Sequence, residues 1–176
     1  MRSNNNHTPQ AHIFSDSKSE TELSEYLGVA DVLDPRWGLG RFHGVFDELT
    51  KKPSSGQCVF EEAIYTGEFD DNADFSGQGI LMFKDGGGFA SGTFKNGKFQ
   101  HGILHFVESK MTAIIRKYLD DGSWIGTVFY DEDGGWADGV FGEDWTLLEG
   151  DEFDADGNVV RSVDPESESD SKGAGR

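Results

Sequence analysis

Tyr65-Thr66-Gly67-Glu68-Phe69, a polar run at Asp70-Asp71-Asn72, then Gly77-Gln78-Gly79-Ile80-Leu81-Met82-Phe83-Lys84-Asp85-Gly86: the fold is decided by this stretch. In an extended chain successive side chains point to opposite faces. Tyr65, Gly67 and Phe69 therefore share one face, and Gly77, Gly79, Leu81 and Phe83 share one face of the returning strand. A glycine has no Cβ, so each glycine between large neighbours leaves room for a ring from the adjoining strand. Asp85-Gly86 closes the unit, and Asp-Gly and Asn-Gly are the strongest short hairpin signals.

Working outward, two registers of this pattern recur at a spacing of about 23 residues. The first is Gly-x-Phe, at Gly44-Val45-Phe46, Gly67-Glu68-Phe69, Gly92-Thr93-Phe94 and Gly139-Val140-Phe141, with Arg116-Lys117-Tyr118 filling one slot without its glycine. The second is a glycine leading to an aromatic, as in Gly56 to Phe60, Gly79 to Phe83, Gly102 to Phe106, Gly126 to Tyr130 and Gly150 to Phe153. Turn formers stand between them, among them Lys95-Asn96-Gly97, Asp133-Gly134 and Asp156-Gly157. One hairpin is marginal in water, so each unit needs its neighbours. The expectation is about five tandem hairpins.

These motifs resemble the MORN repeat over roughly 38–160, with the copy at Tyr65–Gly86 nearest to the family pattern. The resemblance implies an elongated, twisted antiparallel sheet whose hairpins stack along one axis. It also implies a role in protein interaction or scaffolding rather than catalysis. The family's association with membranes and phosphoinositides is opposed here by charge.

Ahead of the repeats, Ser19-x-x-Glu22 reads as a capping box. Leu23, Tyr26, Leu27, Ala30 and Leu33 then recur at three- and four-residue steps, and Pro35 follows. This predicts a short helix over 19–34 that caps one end of the sheet. Residues 1–18 and 162–176 are polar and read as disordered tails, so the repeat domain with its helix spans 19–161.

Composition narrows function. The chain holds 14 Phe and 4 Trp in only 35% hydrophobic residues, which suits a thin aromatic core. Its formal net charge of -18 repels phosphate and anionic lipid, so direct nucleic-acid and membrane binding are not expected, and basic proteins are the natural partners. Cys58 is the single cysteine, which leaves no internal disulfide and no thiolate zinc cluster. With no apolar leader in Met1–Gln10 and no run long enough to span a bilayer, a cytoplasmic protein is expected.

Acid crowds the segment from Leu119 to Asn158, where Lys and Arg are absent. Either it is a solvated face with carboxylates in turns, or it is a surface for a cation or a basic partner. Asp154-x-Asp156-x-Asn158 opens like a calcium loop, but Val159 stands where the loop needs glycine and Pro165 where it needs the bidentate glutamate. His101 and His105 share a segment that reads as a strand, too extended for one metal. No nucleophile elbow or phosphate-cradling loop occurs. No catalytic, cofactor or metal site is therefore assigned.

Aromatics such as Tyr65, Phe69, Phe83, Phe94, Phe106, Tyr130 and Phe141 are expected to build the core. Trp124 and Trp136, beside the acidic block, are expected as exposed anchors, because Trp is enriched in binding hot spots. With Asp131, Asp133, Asp138, Glu143 and Asp144 they form the predicted partner-binding set. The leading expectation is a non-catalytic module that grips a basic protein. An acidic mimic that blocks a nucleic-acid-binding protein, and a small enzyme with an unrecognised carboxylate site, are the alternatives. Open sheet edges also leave a homodimer open.

Overall fold

Asn96 (φ 49°) and Gly97 (φ 72°) join Lys95 to Lys98 in a two-residue turn with both central residues left-handed. That backbone twist matches the twist of paired strands. The computed structural model describes residues 25–164, and turns of this kind fold them into one antiparallel sheet. The strands are β1 (Glu25–Asp34), β2 (Gly38–Asp47), β3 (Pro53–Val59), β4 (Ala63–Phe69), β5 (Phe75–Phe83) and β6 (Gly88–Lys95). They continue as β7 (Lys98–Phe106), β8 (Met111–Tyr118), β9 (Trp124–Tyr130), β10 (Trp136–Phe141), β11 (Leu147–Phe153) and β12 (Val159–Val163). Every strand pairs with its neighbours in chain order, so β1 and β12 are the edges.

A row of glycines crosses the sheet. Gly28 faces Gly44, Gly44 faces Gly56, and the pairing continues through Gly67, Gly79, Gly92 and Gly102. It resumes at Gly126, Gly139 and Gly150. Between them β8 places Ile115 opposite both Gly102 and Gly126, and the side chain is buried. The row makes a trough, and rings lie in it. A Cβ on Gly79 would meet the Tyr65 hydroxyl at 2.3 Å and its ring at 2.6 Å. Likewise a Cβ on Gly126 would meet Trp124, and one on Gly44 would meet Phe42.

The core is therefore one face of one sheet. Phe42, Phe46, Phe60, Tyr65, Phe69, Phe75 and Phe94 form a first cluster with Val32, Cys58 and Leu81. Ile115, Trp124, Val128, Phe141 and Leu147 form a second, and Phe99 and Leu104 touch both. Tyr65 stacks on Phe75 at 3.8 Å and meets Phe69 and Phe94 edge-on. Its hydroxyl donates to the Glu68 and Ser76 carbonyls at 3.0 and 3.1 Å, so the buried polar tip is satisfied. Burial pushes its pKa well up, as does the nearby Glu68 charge.

The first hairpin covers part of this face. Its tip carries Arg36 over the Phe75 ring, 5.1 Å from the centroid, and against Gly97 in the β6–β7 turn. Trp37 packs on Phe83. Buried Asp34 pins the tip by accepting from the Arg36 amide (2.7 Å), the Arg36 guanidinium (2.6 and 3.0 Å) and the Trp37 amide (3.3 Å). Burial raises the Asp34 pKa, but these hydrogen bonds and the Arg36 charge outweigh it, and the net shift is downward.

The helix expected over 19–34 is corrected here: Glu25–Asp34 is strand β1, and residues 19–24 lie outside the described residues. No helix occurs among the described residues. Tyr26, Leu27, Ala30 and Leu33 fit a helical stripe, but Gly28, Ala30, Val32 and Asp34 also alternate. Pairing with β2 selects the alternation, which buries Val32 and Asp34 and puts Gly28 opposite Gly44. Leu27 and Leu33 are left 82% and 77% exposed as a result. Local spacing loses to long-range pairing when both patterns are present. At the other end, Ser162 and Val163 belong to β12 rather than to the expected tail. The rest of that tail, and residues 1–18, lie outside the described residues apart from Asp164.

Candidate interaction surface

Turn chemistry governs where the acidic segment goes. Asp121, Asp133, Asp144 and Asp154 each accept a backbone N–H two residues on, from Ser123, Gly135, Thr146 and Asp156. These contacts replace a backbone turn with a side-chain one. The hydrogen bonds hold the Asp121, Asp144 and Asp154 carboxyls below the usual range. Much of the acid is thus bound to its own hairpins.

Cations from outside the segment reach three of the remaining carboxylates. Arg116 forks onto Asp138 at 2.6 and 3.1 Å and also reaches Thr127, Lys110 pairs with Glu132 at 2.7 Å, and Arg161 pairs with Glu152 at 3.2 Å. The Arg116 hydrogen bond is the main cause of the lowered Asp138 pKa, opposed by partial burial. Arg116, the sequence position expected to carry the glycine, falls at the break in register between Ile115 and Lys117, and Ile115 takes the glycine's place in the row.

The predicted partner-binding residues separate into four places. Trp124 is a core residue, 2% exposed and stacked on Phe141 at 4.4 Å, so the expectation of an exposed anchor does not hold for it. It faces the trough because alternation along β9 places it with Gly126 and Val128. Asp138 sits mid-strand in its ion pair. Glu143 and Asp144 belong to the β10–β11 turn, at one end of the strands. Asp131, Asp133 and Trp136 gather at the opposite end, where β9 turns into β10.

This last group forms a cleft. Trp136 is half-buried, faces Phe153 across the β10–β11 pairing, and stacks on it at 3.8 Å with planes 11° apart. Tyr130, Asp133, Gly135, Glu152 and Val160 complete a hollow of about 280 Å³. Burial raises the Tyr130 pKa, and the charges of Glu152 and Asp133 add to it. An aromatic stack with carboxylates lining the same hollow attracts an organic cation, through the ring quadrupole and through charge. Phe153 and Glu152 were not in the predicted set. Their signal was the pairing of Gly139 with Gly150, which carries Trp136 to Phe153 and Ala137 to Glu152.

The two histidines lie along β7. His105 Nδ1 is 3.0 Å from the Thr112 hydroxyl and its ring lies 5.5 Å from Phe89, while His101 is exposed. Asp154, the first residue of the calcium-like run, accepts the Asp156 and Asn158 amides and the Asn158 side chain. No group of three His, Cys, Asp or Glu among the described residues is placed to hold a metal ion. No helix among them is long and apolar enough to cross a membrane. No family model and no curated protein sequence matches the chain.

Proposed function

We propose that this chain is a non-catalytic interaction module of the MORN-repeat type, an elongated twisted sheet that grips a basic protein in the cytoplasm. The observation that carries the reading is the cleft at the β9–β10 end, where the Trp136–Phe153 stack lies beside Asp133 and Glu152. A net charge of -18 speeds encounter with a basic partner and repels nucleic acid. Rigid aromatic anchors in a charged rim are the usual carriers of binding energy in such surfaces.

Native lysate passed over three baits tests it. The first is the unaltered chain, the second carries Asp131→Asn and Asp133→Asn, and the third carries Glu143→Gln and Asp144→Asn at the far end. A basic protein retained by the first and third and lost from the second supports the cleft. Equal retention by all three overturns the electrostatic reading, and no retention by any overturns the module.

Self-association is a second reading, favoured by the β1 edge. Leu27, Val29 and Leu33 are exposed on β1, whose outer backbone edge no strand covers among the described residues, and long apolar edges pair with other strands. Light scattering of Val29→Lys against the unaltered chain tests it. A dimer converted to a monomer supports pairing through β1, and a monomer in both refutes it.

A further inference from the structure

A second hollow, of about 400 Å³, lies where three hairpin turns meet near the other edge of the sheet. It is lined by Trp37 from the β1–β2 turn, Glu61 and Glu62 from the β3–β4 turn, and Phe83, Lys84 and Asp85 where β5 turns into β6. Trp37 and Phe83 form its aromatic wall, their centroids 5.8 Å apart and their planes at 50°. The wall is preorganised, because the Asp34 carboxylate holds the tip that carries Trp37.

The polar groups are out of balance. Glu61, Glu62 and Asp85 have no ion-pair partner among the described residues, although Asp85 also accepts the Gly87 amide. The one cation in the lining, Lys84, donates to the Phe60 carbonyl at 2.5 Å. The buried Trp37 Nε1–H has no acceptor among the described residues. A buried donor without a partner is uncommon in folded proteins. A metal ion does not suit the site, since no three carboxylate or imidazole groups converge there. An organic cation does suit it, lying on aromatic faces with carboxylates around its charge.

From this geometry we infer that the hollow is a receptor for an arginine side chain presented by a basic peptide. The guanidinium lies against the Trp37–Phe83 wall, as its planar, weakly hydrated charge favours over ammonium. Glu61, Glu62 and Asp85 compensate its charge. The inference rests on reading the chain as a module for basic partners, but at a site separate from the Trp136 cleft. The two hollows both sit at hairpin turns on the same end of the strands.

The test is a nitrogen–proton NMR titration of the full chain, following the four Trp indole signals. Those of Trp37 and Trp136 are assigned from Trp37→Phe and Trp136→Phe. The probe is the blocked pentapeptide Gly-Gly-Arg-Gly-Gly, its citrulline counterpart is the uncharged control, and agmatine is the free cation. The Trp37 indole signal is expected to move with the arginine peptide and to stay with the citrulline peptide. A variant carrying Glu61→Gln, Glu62→Gln and Asp85→Asn should weaken binding about tenfold or more, with the other indole signals unchanged as proof of folding. Agmatine binding as tightly as the peptide overturns the peptide as ligand. Movement confined to Trp136 overturns this site while leaving the module reading intact. No movement at either Trp overturns both.

Discussion

Gly79→Ala isolates the principle on which the core is built. Gly79 is not in the left-handed region, so alanine there is free of backbone strain and meets only a problem of space. The added methyl would sit 2.3 Å from the Tyr65 hydroxyl and 2.6 Å from two ring carbons. Tyr65 must then move, losing its fit against Phe75 and the hydrogen bonds to Glu68 and Ser76. Overpacking costs about 1–3 kcal/mol and a stranded buried hydroxyl about 1–3 more. The expected loss is thus about 2–6 kcal/mol, a large part of a typical domain's stability. Urea unfolding followed by tryptophan fluorescence measures it. Gly86→Ala is the comparison: nothing lies within 4 Å, but φ is +81°, so only the backbone term of about 1–2 kcal/mol remains. A double-mutant cycle with Tyr65→Ala completes the test, since removing the ring should relieve the alanine by more than about 1 kcal/mol. A loss at Gly79 no larger than that at Gly86, or additivity with Tyr65→Ala, would refute the ring-in-trough account.

Asp34→Asn should cost about 1–3 kcal/mol at neutral pH, because a charged acceptor holding Arg36 and two amides becomes neutral. The folded pKa of Asp34 is lowered, so its contribution is present above the unfolded value of 3.8 and is lost as pH falls through the folded one. The gap between the two proteins should accordingly narrow in acid unfolding below about pH 4, and a constant gap would refute the assignment. Cys58 is fully buried, and burial together with the Asp34 charge raises its thiol to about 11. Labelling by a thiol reagent at pH 8 should therefore be slow in the native protein and accelerate at the urea midpoint; fast native labelling would contradict the packing. Arg116→Ala removes an exposed pair, with side chains 46% and 41% accessible, and should cost under about 1 kcal/mol. That cost should shrink further in 1 M salt, as thermal melts at two ionic strengths would show.

The hairpin order was legible from residues alone because its signals are local. Asn96-Gly97 can form only a narrow class of turn, and Gly67, Gly79, Gly92, Gly126 and Gly139 mark the strand centres that the register confirms. Even the missing glycine of the third unit was visible, although not that Ile115 would occupy the slot with Arg116 turned onto Asp138. The candidate cleft was legible in part, through Trp136 and Asp133.

What tertiary structure alone decided were choices between two patterns that the same residues satisfy. Glu25–Asp34 carries both a helical stripe and a strand alternation, and the free edge of β2 selects the strand. Trp124 and Trp136 both stand near acid, yet strand parity sends one into the trough and the other to the cleft. Trp37 meets Phe83 only because the first hairpin folds across the sheet. Turns depend on the torsions of a few adjacent residues, so sequence determines them directly. Facing, burial and the meeting of distant tips depend on pairings between strands far apart in the chain, and the energy of the whole sheet settles those.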